Sequence, residues 1–249
     1  MSTVVYGPDA FTVGSDTTLA TYSADWELIG AAGGTMVVNA ALDLVGHSAT
    51  SYDDAFYRWK GTGSPTGDQQ IAANLLHPAS NANAGDLRLL TRVTGTVGGS
   101  NLKAYAGALH RATATVTMYL YKVSAAGTFT ELASGDATVG LAAHDCTLDA
   151  TGTSTTALSF KVTGHTTLTY DDSSSPYTSG VCGLSSYYDD NGGFNATYTG
   201  RIDNVSITDL TSASAALTGT ATASIDETYL KAADRTVIYT LTGDTFIAA

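Results

Sequence analysis

Strict two-residue alternation is the feature that most restricts this chain. Between Ala112 and Val123, Ala114, Val116, Met118 and Leu120 fall on one face of an extended strand. Thr115, Thr117, Tyr119 and Tyr121 fall on the other. A helix would scatter these residues around its circumference. The pattern therefore asks for a sheet with one face in the core and an amphipathic opposite face. Similar alternation recurs in runs rich in Thr, Val, Tyr and Ser, and helix-forming windows are nearly absent. Turn signals separate the runs: Ala32-Gly33-Gly34, Gly61-Thr62-Gly63, Asn83-Ala84-Gly85, Gly98-Gly99, Ala126-Gly127, Thr163-Gly164 and Asn191-Gly192-Gly193. Many strands joined by Gly-rich turns predict an all-β sandwich or barrel.

Charge narrows the function classes. Only 14% of the 249 residues are charged, against about 25% in typical domains, which argues against a coiled coil or a long helical bundle. Eleven Lys and Arg stand against 23 Asp and Glu, a net charge of −12. Nucleic-acid binding and docking on an anionic membrane both need the opposite sign. The most membrane-like window, Leu28 to Gly46, contains Asn39 and Asp43 and breaks at Ala32-Gly33-Gly34, as two strands around a turn would. Residues 1–6 show no basic and apolar secretory pattern. Cys146 and Cys182 are too few for a disulfide scaffold, and each lies in an apolar run where Cys acts as a small hydrophobe. A single bond between them stays open as the alternative. Asn195-Ala-Thr and Asn204-Val-Ser match the glycosylation pattern, at a frequency that this much Asn and Thr gives by chance.

Composition shifts at Thr211, where Thr-Ser-Ala-Ser-Ala-Ala reads as a linker. Beyond it, 221–225 reads as a strand, 226–233 as one or two helical turns behind an Asp cap, and 235–241 as a second strand. The expected division is a sandwich over 1–211 and a small strand-helix-strand extension over 212–249. Fewer than 40 residues do not normally bury a core of their own, so the extension needs something to pack on.

Several stretches taken in order resemble the concanavalin A-like (laminin-G-like) jelly roll. They are Asp9-Ala-Phe11 followed by Trp26-Glu-Leu-Ile29, the hairpin Leu120 to Ser134 with its Leu-Tyr-Lys and Phe-Thr-Glu-Leu-Ala segments, and Leu158-Ser-Phe-Lys-Val-Thr-Gly164. Tyr177-Thr-Ser-Gly-Val-Cys-Gly-Leu184 and the closing Arg201-Ile-Asp-Asn-Val-Ser-Ile207 complete the set. The resemblance spans about residues 6–210 and implies an antiparallel β-sandwich jelly roll with a small C-terminal β/α appendage. The segments Ala216 to Ile225 and Thr236 to Phe246 resemble a module found in bacteriophage proteins.

Enzymatic constellations are missing from the residues. Jelly-roll glucanases alternate two Glu and an Asp on one strand, whereas Glu27, Glu131 and Glu227 stand far apart. There is no Gly-x-Ser-x-Gly elbow, no Cys-x-x-Cys, no paired spacing among the five histidines and no phosphate-binding Gly-x-x-x-x-Gly-Lys. His144-Asp-Cys146 could share a strand face, yet a buried Cys beside a rim His explains it as well.

Two binding features remain. Asp189-Asp190-Asn191, with Asp171-Asp172 and Asp53-Asp54, offers oxygen ligands in loops of the kind Ca²⁺ takes. Lectin-like relatives often bind calcium at a rim, and Asp-Asn-Gly is equally ordinary turn chemistry. Asp189, Asp190 and Asn191 are the candidate calcium loop; no other cofactor is expected. Tyr57, Trp59, Tyr119, Tyr121, Tyr187, Tyr188 and Tyr198 are the candidate ligand- or partner-binding aromatics, with cross-strand packing as their plain alternative.

The expected function is a non-enzymatic structural protein of a tailed-phage virion, either a capsid decoration (cement) protein or a tail or fibre component. Its partners would be other virion proteins and further copies of itself, a trimer in particular. The alternative is a lectin-like glycan-binding adhesion module. Neither nucleic acid nor membrane is expected as a partner.

Overall fold

The computed structural model describes residues 2–30, 35–40, 44–48, 53–77, 84–96, 101–112, 115–125, 128–135, 139–189 and 200–211. In chain order these form β1 (Thr3–Asp9), β2 (Thr17–Thr18), the four-residue helix α1 (Leu19–Tyr22), β3 (Trp26–Leu28), β4 (Thr35–Asn39), β5 (Leu44–Ser48), β6 (Asp53–Trp59), β7 (Gln69–Leu76) and β8 (Ala84–Thr94). They continue with β9 (Lys103–Ala112), β10 (Thr115–Ala125), β11 (Thr128–Ser134), β12 (Ala143–Thr151), β13 (Thr156–Val162), β14 (Leu168–Asp172), β15 (Val181–Asp189) and β16 (Arg201–Asp209). The predicted extension, 212–249, lies outside the described residues.

The strands make two antiparallel sheets. One runs β14-β13-β12-β7-β16-β5-β4-β2, with β1 added along β16; the other runs β11-β10-β9-β8-β15-β6-β3. Neighbours such as β7 and β16, or β8 and β15, are far apart in sequence, so both sheets are stitched by long crossovers. Among the described residues no helix is long and apolar enough to cross a membrane.

Alternation builds the core. Cys146, Leu148 and Ala150 of β12 and Leu158, Phe160 and Val162 of β13 face inward from one sheet. Leu87 and Leu89 of β8, Tyr105 and Leu109 of β9, and Val116, Met118 and Leu120 of β10 face inward from the other. The sheets interlock at Gly107, where a Cβ atom would meet the Phe160 ring at 2.3 Å. Both cysteines are buried and free, Cys146 in one sheet and Cys182 in the other.

One expectation from the alternation needs correcting. The far side of the seven-stranded sheet is not simply amphipathic. Ile29, Phe56, Leu90, Val93, Leu102, Ala104, Ala106 and Val123 form a second buried apolar cluster there. Phe129 of β11 is packed against it, and its ring centroid lies 6.1 Å from that of Phe56 on β6, with four strands between them in the sheet order. The β10–β11 end of the sheet therefore curls over its own outer face.

Two polar clasps hold the loops at the edges. Arg92, fully buried, donates from Nη1 to the Tyr177 carbonyl (3.3 Å) and from Nη2 to the Gly152 carbonyl (3.0 Å) and Asp68 (3.4 Å). Asp172, at the end of β14, accepts from Tyr105 Oη and Lys122 Nζ, each at 2.6 Å. The second clasp corrects the placing of Asp171-Asp172 and Asp53-Asp54 in loops. Both pairs belong to strands, and the Asp172 carboxylate already has a structural role.

Candidate ligand-binding face

Strand register lays out the outer face of the seven-stranded sheet in rows. Tyr187 lies opposite both Asp54 on β6 and Asp86 on β8; Asp86 lies opposite His110 on β9, and His110 opposite Thr117 on β10. The next row runs Phe56, Ser185, Arg88, Ala108 and Tyr119, and the third Arg58, Gly183, Leu90, Ala106, Tyr121 and Glu131. Directly opposed residues share a face. The small residues Ser185, Gly183, Ala108 and Ala106 keep the middle of the face low beside the larger side chains.

Arg88 organises the first two rows. Its side chain is 3% exposed. Nε and Nη2 donate to Asp86, Nη1 donates to Asp54, and Nη1 also donates to Ser185 Oγ at 3.2 Å. The guanidinium sits under the Phe129 ring, 4.2 Å from its centroid, with the Tyr187 ring at 5.9 Å. Asp86 also contacts His110 Nδ1. Burial opposes ionisation of Asp86, but the Arg88 charge and the His110 contact outweigh it and hold the carboxyl down, at about 2.

An aromatic track runs beside this cluster. Phe129 meets Tyr121 edge-on at 5.6 Å, Tyr121 stacks on Tyr119 at 5.2 Å and 14°, and Tyr119 meets His110 edge-on at 5.9 Å. Phe129 covers the apolar end of the face. At the polar end His110 stays one-third exposed and Tyr119 and Tyr187 are half-buried; Glu131, in the third row beside Tyr121, is exposed. That polar end combines fixed carboxylate acceptors with aromatic ring faces.

The structure brings Tyr119, Tyr121 and Tyr187 together on this face. Tyr57 and Trp59 are corrected: both point into the core between the sheets, buried to 1% and 3%. They alternate with Phe56 and Arg58 on β6, and it is the latter pair that faces outward. Tyr188 and Asp189 are described only as backbone at the end of β15, and Asp190, Asn191 and Tyr198 lie outside the described residues. Among the described residues no group of three or more His, Cys, Asp or Glu is arranged to hold a metal ion.

Sequence reasoning missed Asp86, Arg88, His110 and Phe129. Its available signal was Asp86-x-Arg88 on one face of a strand whose other face is Leu87 and Leu89. Charges on a central strand need partners, and such a pair announces a polar cluster. The candidate thiol site dissolves on inspection. Cys146 Sγ lies 3.4 Å from the backbone carbonyl of His144, the His144 ring reaches the Gly140 carbonyl at 3.0 Å, and burial pushes the thiol pKa up.

No protein-family model and no curated protein matches the sequence. Solved structures do. A Bacillus subtilis protein of unknown function with a galectin-like fold superposes with a TM-score of 0.56, at 13% identity, over 83% of this chain and 97% of that one. The carbohydrate recognition domain of Emp46p, in its potassium-bound form, gives 0.53 at 10% identity over 82% and 96%. The CBM2 module of the Lactobacillus casei BL23 phage J-1 evolved Dit gives 0.49 at 14% identity over 83% and 95%, too loose a likeness to argue from. At such identities likeness shows architecture alone. This chain has the antiparallel jelly-roll sandwich fold of galectin-like and lectin-like domains.

Proposed function

We propose that this chain is a non-enzymatic, lectin-like glycan-binding module, and that the polar end of the outer face takes the saccharide. One observation carries the proposal: Arg88 holds Asp54 and Asp86 rigid beside the exposed flanks of Tyr119 and Tyr187. Sugars present hydroxyl donors and apolar C–H faces, which fixed carboxylates and aromatic rings match respectively. The same geometry disfavours hydrolysis. A glycosidase acid needs a raised pKa, while Asp86 is held at about 2 and Glu27 is engaged by Arg58 and Lys60.

The setting we propose is a tailed-phage particle, as a capsid decoration protein or a tail or fibre component, in a homo-oligomer such as a trimer. The resemblance of 216–246 to phage modules supports that setting. Extension and sandwich would then divide the work, the former engaging virion partners and the latter host glycans.

A glycan array with purified full chain, paired with co-sedimentation on phage shells lacking the protein, tests both parts. Selective glycan capture that falls about tenfold in Tyr119→Ala supports the module, a loss near 1.4 kcal/mol. Saturable shell binding without glycan capture would make it a purely structural virion component.

A further inference from the structure

We infer that this face selects its saccharide by charge, taking uncharged glycans and rejecting those that carry carboxylate or sulfate groups. The inference rests on the glycan-binding proposal above and concerns the same site.

Arg88 looks at first like an anion receptor, since a guanidinium on a ligand-facing sheet commonly pairs with carboxylate or sulfate. Its geometry excludes that role. Nε and Nη2 are held by Asp86, and Nη1 by Asp54 and Ser185. The Phe129 ring covers one face of the group, and only 3% of the side chain is exposed. Arg88 is thus a positioning residue: it orients two carboxylates and offers an incoming anion no accessible charge.

What solvent meets is acidic. Asp54 keeps 14% of its side chain exposed, and Glu131 is exposed opposite Tyr121. Around Arg88 two carboxylates, those of Asp54 and Asp86, therefore stand against one guanidinium, and Glu131 adds a third negative charge along the face, opposite Tyr121. Protonation of His110 would balance that cluster at two against two and leave the exposed Glu131 as the charge an incoming anion meets. Among the described residues the other cations aligned with this face, Arg58 and Lys60, lie at the β3–β6 edge and share Glu27, with Arg58 Nη1 also on the Gly95 carbonyl at 2.8 Å. An anionic saccharide would be desolvated against carboxylates with no partner for its charge, the arrangement by which binding sites reject a competitor. A neutral saccharide brings hydroxyl donors, which the carboxylates held by Arg88, those of Asp54 and Asp86, are placed to accept.

The test is an array of matched oligosaccharide pairs, each core present in neutral form and again with an added sialic acid, sulfate or uronate. The expected result is capture of one or more neutral cores, with binding weaker by roughly tenfold or more for their anionic partners at low salt and a smaller gap at high salt. Glu131→Lys reverses an exposed charge and leaves the Arg88 cluster intact, so it should narrow the gap several-fold while the neutral core binds as before. Equal or tighter binding of anionic partners would overturn charge selection and leave the glycan-binding proposal standing. A gap unmoved by Glu131→Lys, with the variant folded by circular dichroism, would also overturn it. Binding to no member of any pair would remove both.

Discussion

The guanidinium carbon of Arg88 lies 4.2 Å from the centroid of the Phe129 ring, although β9 and β10 separate their strands in the sheet. The contact joins the two ends of the outer face. Beneath the ring a buried cation holds two carboxylates; beside it the aromatic track leads through Tyr121 and Tyr119 to His110.

Removing the cation leaves that cluster uncompensated. Arg88→Ala strands Asp54 and Asp86, and breaking a buried ion pair from one side costs about 3–5 kcal/mol. Chemical denaturation should show a midpoint lowered accordingly with an unchanged slope. Arg88→Met with Asp86→Leu should recover part of the loss, because it removes the more buried of the two stranded carboxylates and leaves only Asp54. A double variant no more stable than Arg88→Ala would contradict this account.

Gly107 tests the interlock of the two sheets. A methyl group there would overlap the Phe160 ring, which sits at 2.3 Å from the position of the added Cβ and is fully buried. Gly107→Ala should cost about 1–3 kcal/mol as overpacking. Phe160→Leu in the Gly107→Ala background should be less damaging than Phe160→Leu alone, a coupling that a double-mutant cycle measures.

His77 makes stability depend on pH. Burial pushes its pKa down from the usual 6.5 to about 4, against the opposing hydrogen bond with the Leu109 carbonyl. The unfolded chain therefore binds a proton more readily than the folded one between those values. Stability from this group is complete above pH 6.5 and is lost as pH falls toward 4, by about 3 kcal/mol in all. His77→Gln should flatten that part of the profile of unfolding free energy against pH; an unchanged slope between pH 6.5 and 4 would count against it.

The two thiols should be silent in the native protein. Cys146 and Cys182 are 1% and 0% exposed, and burial raises both pKa values. A thiol reagent at pH 8 should label neither until denaturant is added, and then both. Rapid native labelling of either would mean that the sheet opens locally far below the global unfolding free energy.

Much of the architecture was legible along the chain. Val116, Met118 and Leu120 against Thr117, Tyr119 and Tyr121 determine β10 and its two faces, because a strand turns successive side chains to opposite sides. The Thr163-Gly164 turn and the runs around it likewise announce the β13–β14 pairing. The β6 aromatics show the limit. In Tyr57-Arg58-Trp59 the alternation separates two sets of residues without saying which set faces the core, and the aromatic set went inward while Arg58 met Glu27.

The candidate site was less legible, for a physical reason. Tyr119, Tyr121 and Tyr187 could be named as interface aromatics from their amphipathic character alone. Asp54, Asp86, Arg88, His110 and Phe129 come from four different strands, and only inter-strand register and the curl of the sheet bring them together. Local sequence thus determined the described strands and the turns at Gly61-Thr62-Gly63 and Thr163-Gly164, because those follow from alternation and backbone preference within a few residues. Tertiary structure alone decided which face holds a buried cation and where the carboxylates point, because charge pairing and burial are set by neighbours that are distant along the chain.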